Sequence, residues 1–379
     1  MKICFDARVI INEKTGIGNY SLNLLRSLLE LDQQNLYTVL VNSRLDDDHE
    51  IYTLNYPNLV REKVNIPPVS IHQQYLIPFL LRKIKPDIYH YPNWDVPIFH
   101  RYKTIVTIHD LTYVLHRNLY KRFYHAKKLY TRLNIYWGLK QAEKVIVVSK
   151  STKEDLVKYF QTPEHKIEVI YEAMNHHFLK NGSAKNEIRV DSQDLFQNNN
   201  YFLYVGERRP HKNLVRMIEA FALFKEQSPG NFKFLIGGKD YNHYDEPEKK
   251  VNELGLSGDV NFIGYIPDEK LKPLYSKATC FMFASIYEGF GIPILEAMSC
   301  GTPVITSNIS SMPEIADNAA IKVNPYDVDE IANAMLAVVR DENIRSDYVE
   351  RGKARAREFS WEKAAKQTLA LYEKMRVAD

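Results

Sequence analysis

The chain has 379 residues, of which 45% are hydrophobic and 26% charged, with a formal net charge of +3. That length exceeds one ordinary core and predicts two domains, while the hydrophobic share excludes a disordered chain. Near-balanced charge argues against a dedicated nucleic-acid binder, and no stretch approaches the roughly 20 apolar residues needed to cross a bilayer.

The opening MKICFDARVI is a short apolar strand that runs straight into Asp6 and Arg8, without the long apolar region of a signal peptide. Cys4, Cys280 and Cys300 lie in or beside apolar runs and lack the spacing of a zinc site or disulfide framework. They read as buried thiols, and a cytoplasmic protein is expected. Short β-branched or aromatic runs at 2–5, 37–41, 87–90, 104–108 and 144–148 predict strands, with helical patterns between most of them. From 180 to 200 the chain turns polar and loses periodicity, which places a linker at 181–200. Strand patterns resume at 201–205, 232–236, 260–263, 280–283, 304–306 and 321–323. Alternation of this kind is the signature of a parallel sheet covered on both faces. The reading is α/β, with Rossmann-like domains over 1–180 and 201–360. A last helical run over 361–379 is separate enough from the second sheet to cross back to the first domain.

Chemistry concentrates in two stretches of the second half. In SIYEGFGIPILEAMSCGTPVITS, Glu288 is read as ending a strand, Gly289 and Gly291 permit unusual backbone angles, and Pro293 suits a first helical turn. Loop amides and the helix dipole there favour anions by roughly 0.3 to 1 kcal/mol per interaction, so a diphosphate cradle is plausible on chemistry. Glu296, about one turn into the helix, can face the same cavity at the strand carboxyl ends and accept hydroxyl hydrogen bonds. In YVGERRPHKNL a strand ends at Gly206, a turn carries Arg208, Arg209 and Pro210, and Lys212 and Asn213 open a helix. A cation ahead of a helix whose dipole repels it makes sense if it serves an anion. A tight turn with solvated surface charges is the competing reading of each stretch alone.

Together these stretches resemble glycosyltransferase family 4, a retaining family with the GT-B fold. Six blocks in order carry the resemblance over nearly the whole chain. They are FDAR with TGIGNY, TIHDL, VVSKSTKEDL, YVGERRPHKN, YEGFGIPILEAMSCGTPVI, and SSMPEIADNAAIKVNPYDVDEIANAM. The resemblance implies two Rossmann-like domains with a deep interdomain cleft, a nucleotide-diphosphate sugar donor held mainly by the second, and a glycan or lipid-linked acceptor held mainly by the first. It implies that Glu296 holds the ribose hydroxyls, Glu288 lies nearest the donor sugar and Lys212 neutralises the diphosphate. Gly206, Gly289, Phe290 and Gly291 belong to the donor site. Many relatives place an arginine directly after the glycine, where this chain has Glu207; Arg208 is assigned that role over Arg209. His109 matches a histidine that reaches the transferred sugar, and Gly16 and Gly18 match a loop that closes over the phosphates or admits the acceptor. Asp110 is expected to support that region.

Retention without an enzyme nucleophile would bring the acceptor hydroxyl in on the side the diphosphate leaves, the departing oxygen taking its proton. Lys212, an arginine and loop amides would then stabilise the leaving group. The DAR, TGIGNY and HDL blocks look most like the mannosyltransferase-type branch, so GDP-mannose is the preferred donor, in bacterial cell-surface polysaccharide assembly. UDP-glucose, UDP-galactose or UDP-N-acetylglucosamine would use the same phosphate and ribose contacts. A phosphorylase, an epimerase or a catalytically silent nucleotide-sugar binding subunit are the other classes. No cofactor or metal is expected: Asp46, Asp47 and Asp48 read as a solvated acidic loop, not a manganese motif. Gly16 and Gly18 lack the third glycine of a dinucleotide fingerprint. From His116 to Lys140 the chain is basic and aromatic, with Arg117, Lys121, Arg122, Lys127, Lys128 and Arg132 among Tyr120, Phe123, Tyr124, Tyr130, Tyr136 and Trp137. Two readings stay open for it: an ordinary helix, or a peripheral contact with anionic headgroups at the inner face of the plasma membrane.

Overall fold

A computed structural model describes residues 1–116, 124–175, 178, 200–228, 230–240 and 244–377. The chain forms two compact units, Met1–Asn175 with Ser360–Asp379, and His176–Phe359. The linker reading at 181–200 and the part of the basic aromatic stretch at 117–123 lie outside the described residues, apart from Asn200.

The first unit is built on a seven-stranded parallel sheet of β1 (Lys2–Asp6), β2 (Leu36–Asn42), β3 (Leu59–Val64), β4 (Ile88–Tyr91), β5 (Lys103–Ile108), β6 (Lys144–Val147) and β7 (Ile167–Val169). Its order is β3-β2-β1-β4-β5-β6-β7. The second unit has β8 (Tyr201–Val205), β9 (Lys233–Gly237), β10 (Val260–Gly264), β11 (Cys280–Phe283), β12 (Val304–Ser307) and β13 (Ile321–Val323). These lie in the order β10-β9-β8-β11-β12-β13, again all parallel. In each sheet the order reverses next to the first strand, between β1 and β4 and between β8 and β11, and ligands of open α/β sheets bind outside the carboxyl ends at such a reversal.

Two strands escape the hydrophobic pattern. β3, with Arg61, Glu62 and Lys63 in its middle, lies at the sheet edge, where charged residues suit a strand with one unpaired side. β7 has only three residues and closes the opposite edge. One boundary needs correction: β11 stops at Phe283, so Glu288 does not end a strand but lies in the loop leading to the helix Ile292–Ser299. The helix Trp361–Val377 belongs to the first unit, where its Trp361 indole donates to the Met174 carbonyl at 2.9 Å. Its Tyr372 hydroxyl meets Nδ1 of His90 at 2.6 Å, and burial lowers the His90 pKa to about 3, so the ring is neutral.

A fully buried ion pair fixes the carboxyl end of β1. The Arg8 guanidinium donates to both oxygens of Asp6, at 2.7 and 2.8 Å, with neither side chain exposed. Its remaining donors reach the Ile66 carbonyl at 3.0 Å and Gln73 at 3.3 Å. Gln73 passes the network to Asp95 at 2.8 Å, which also accepts from Tyr91 and Asn93. Burial raises the Asp95 carboxyl above its ordinary range, these donors opposing it. Removing one partner of such a pair leaves an uncompensated buried charge. Arg8→Met is therefore expected to destabilise the first unit by about 3–5 kcal/mol in urea unfolding, with the double variant Asp6→Leu/Arg8→Met recovering part of the loss.

Candidate functional site

The second unit assembles its site where β8 and β11 end side by side. After β8 a tight helical turn, Pro210–Lys212, leads to Asn213 in the left-handed conformation at φ 63. Asparagine tolerates that conformation better than most side-chain-bearing residues. Its amide donates to the carbonyl of Ala284 at 3.0 Å and to that of Pro325 at 2.7 Å. The Ile286 amide donates to the His211 carbonyl at 2.8 Å. The loop after β11 is thus tied to the turn after β8.

The consequence is a direct pairing of two predicted residues. Nζ of Lys212 lies 2.7 and 2.8 Å from the two carboxylate oxygens of Glu288, and 5.5 Å from the centre of the Phe283 ring. Neither side chain is sealed off: Lys212 is 16% and Glu288 11% exposed. An ammonium has three donors, so one remains for an arriving anion. Ser310 and Ser311 hold the glutamate from behind: the Glu288 amide donates to Ser310 at 3.1 Å, and its carbonyl accepts from Ser310 at 2.8 Å and Ser311 at 3.0 Å.

Beyond Glu288 the loop passes Gly289 and Phe290 and turns into the helix Ile292–Ser299 at Gly291, whose φ of 105 a side chain would strain. Phe290 is buried edge-on to Phe359 at 5.8 Å, and its carbonyl accepts from Ser311 at 2.9 Å. Gly206 lies at the end of β8, and its carbonyl packs so close to Gly238 that a Cβ there would approach within 1.9 Å. Glu296 sits on the helix, 7% exposed, accepting from the Tyr275 hydroxyl at 3.1 Å. Burial raises its pKa from 4.5 to about 7, with the Tyr275 bond opposing.

Arg208 is placed apart from the pair. It forms an ion pair with Glu248 and stacks over the Phe262 ring at 5.0 Å, while Arg209 pairs with Glu207 at 2.6 Å.

In the first unit, His109 follows β5. Its Nδ1 meets Glu172 at 2.9 Å and its Nε2 the Pro92 carbonyl at 3.2 Å, and Tyr20 packs against the ring edge-on at 4.6 Å. Asp110 accepts from the Thr112 amide at 2.8 Å, just ahead of the next helical turn. Gly16 and Gly18 lie in the first turn of the helix Gly16–Leu31, whose cap Thr15 accepts from the Gly18 amide. Beside them residues 10–15, Asn19, Leu22, His49 and Glu50 line a cavity of about 290 Å³. Asp47 of the acidic loop pairs with Lys63 at 3.2 Å.

Sequence reasoning gave no role to Ser310, Ser311, Tyr275, Glu172 and Tyr20, and named Asn213 only as opening a helix. The KN pair contained Asn213, but its two carbonyl partners, 71 and 112 residues away, are visible only in the fold.

The Glu296 shift has a pH consequence. A raised folded-state pKa contributes stability that is complete below the ordinary value of 4.5 and lost as pH rises through about 7. At mildly alkaline pH, Glu296→Gln should stabilise the second unit by about 3 kcal/mol and remove the decline between those limits, as thermal unfolding across a pH series would show.

The sequence pattern described as "Glycosyl transferases group 1" matches residues 185–355, and "Glycosyltransferase Family 4" matches residues 14–178. The chain is 30% identical to the O-antigen chain mannosyltransferase B of Escherichia coli, over 98% of this chain and 99% of that protein. It is 30% identical to the O-antigen chain mannosyltransferase RfbU of Salmonella typhimurium, over 83% and 84%. Among solved structures, Anabaena HepE in complex with UDP and glucose superposes with a TM-score of 0.75 at 19% identity, over 99% of this chain and 100% of that one. With the two parallel sheets this is the GT-B fold, and the chain belongs to glycosyltransferase family 4, as a glycosyltransferase of the mannosyltransferase type.

Proposed function

We propose that this glycosyltransferase moves mannose from GDP-mannose, with retention of configuration, onto a glycan or lipid-linked acceptor in bacterial cell-surface polysaccharide synthesis. The observation that carries the reading is the Lys212–Glu288 pair at the carboxyl ends of β8 and β11. The names of two relatives, both O-antigen chain mannosyltransferases, support the sugar and the process.

In this reading Lys212 turns its remaining donor to the diphosphate, and the loop through Gly289, Phe290 and Gly291 brings amides to the same oxygens, with Gly206 bordering them. Glu288 holds the ammonium in place and faces the donor sugar. As the bond to the diphosphate breaks, negative charge grows on the leaving oxygen, and a fixed ammonium stabilises that charge without reorganising. The acceptor hydroxyl adds on the face the diphosphate leaves and gives its proton to the departing oxygen, so no enzyme nucleophile is needed. Arg208 joins the phosphates by exchanging Glu248 for them. Glu296 accepts from the ribose hydroxyls, for which its ionised form is the better acceptor. In the first unit, His109, oriented by Glu172, serves the transferred sugar, and the cavity beside Gly16 and Gly18 serves the acceptor. Contact with the membrane is peripheral, through the helix Tyr124–Gln141, where Leu129, Leu133, Tyr136 and Trp137 are exposed.

HepE, solved with UDP and glucose, favours a second reading with a uridine donor. A thermal-shift panel of GDP, UDP, ADP and their sugars decides between them, because a ligand raises apparent stability in proportion to its occupancy of the folded state. Selective stabilisation by GDP and GDP-mannose, unchanged by EDTA, is expected; a response to UDP alone would overturn the donor, and a response to no nucleotide would overturn the transferase site. Lys212→Ala should lower the rate of transfer about 100- to 1000-fold. Donor affinity should rise with pH as Glu296 ionises near 7, and titrations of Glu296→Gln should be weaker and flat with pH.

A further inference from the structure

The helix Gln73–Ile84 of the first unit carries an unusual face. Ile71 just ahead of it is 68% exposed and Phe79 71%, with Tyr75 and Leu76 exposed on the same side. Phe99, 56% exposed, stacks on Tyr75 at 5.9 Å and extends this apolar surface onto the loop before β5. Positions 75, 79, 82 and 83 share one helical face, so the apolar stripe runs directly into Arg82 and Lys83. Over 70–102 the exposed charges are Arg82, Lys83, Lys85 and Arg101 against one carboxylate, Asp87. Asp87 accepts from the Lys2 amide at 2.7 Å, and none of the four cations has a carboxylate partner among the described residues.

Where the apolar and basic parts meet lies a cavity of about 460 Å³, lined by Arg82, Ile98, Phe99, His100, Arg101 and Tyr102. Arg82 and Arg101, neither with a carboxylate partner among the described residues, give its lining the charge that suits an anion of phosphate type. His100 adds a polar group: Nδ1 accepts from the Tyr102 amide at 3.3 Å, while Nε2 is buried without a hydrogen bond. Burial lowers the His100 pKa to about 4, the nearby Pro97 carbonyl opposing, so the ring is neutral. With Nδ1 accepting, Nε2 carries the proton and stays within the wall of the cavity.

We infer that this face docks on an anionic lipid bilayer, with Tyr75, Leu76, Phe79 and Phe99 entering the headgroup region and a lipid phosphate seated between Arg82 and Arg101. Aromatic side chains beside unpaired cations are the composition of an interfacial surface, and the cavity gives it a place for one headgroup. This contact is distinct from the one proposed through the helix Tyr124–Gln141 and does not depend on the donor reading.

The test is sedimentation of the full chain with vesicles of phosphatidylcholine, alone or mixed with phosphatidylglycerol. Salt-sensitive binding to the mixed vesicles only is expected. Phe79→Ser/Phe99→Ser and Arg82→Gln/Arg101→Gln should each weaken it about tenfold or more, with thermal unfolding showing that both remain folded. Three outcomes overturn the inference: no binding by the unaltered chain, binding that both pairs leave unchanged while Leu133→Ser/Trp137→Ser abolishes it, or a lipid-free dimer that Phe79→Ser dissociates.

Discussion

Two carbonyl oxygens, of Ala284 and Pro325, converge on the side-chain amide of Asn213, and the chemistry of the second unit depends on that convergence. Neither carbonyl belongs to a strand, so neither has a ladder partner, and a buried carbonyl without one is costly. One amide with two donors satisfies both. Because Asn213 directly follows Lys212 and Ala284 opens the loop that carries Glu288, satisfying backbone polarity also brings ammonium and carboxylate within 2.7 Å. Ser310 and Ser311 complete the arrangement by bonding the Glu288 backbone, leaving its side chain to the lysine.

The first unit solves a parallel problem differently. Its β1 also ends at a reversal of strand order, but the groups gathered there, Asp6, Arg8, Gln73 and Asp95, are buried and bonded to one another. Such a network fixes the positions of the surrounding loops instead of offering groups to a ligand. The residues proposed to face ligands sit outside it: His109 beyond β5, and Gly16 with Gly18 at the start of the helix that follows β1. The return of the chain to this unit through Trp361 and Tyr372 adds bonds to Met174 and His90, so the last helix belongs to the packing that supports β4.

Two buried carboxylates show how different the surroundings of such groups are. Asp6 keeps an arginine and serves structure, whereas Glu296 has one tyrosine hydroxyl and a pKa raised to about 7. A carboxylate buried with so few donors is held at a cost to folding, and groups of that kind are enriched where ligands bind.

By itself the sequence determined the class of the fold and pointed to the residues of the candidate site that local chemistry makes visible. Alternating apolar strands and amphipathic helices required two parallel sheets, because only such sheets bury strands on both faces. The glycine turns before Lys212 and Glu296 were legible as local backbone chemistry, and the order of six blocks carried the family. What the sequence did not contain was contact across long separations. The charged edge strand β3 lacked the apolar pattern, since an edge is half solvated. The position of Glu288 beyond its strand depends on bonds from Asn213, Ser310 and Ser311, all distant in the chain. Arg208 and Arg209 are indistinguishable as local sequence, and only tertiary packing sends one to Glu248 and the other to Glu207. Local pattern specifies which element forms; which side chains meet is decided by how the elements pack, and that is where the pairing of Lys212 with Glu288 arose.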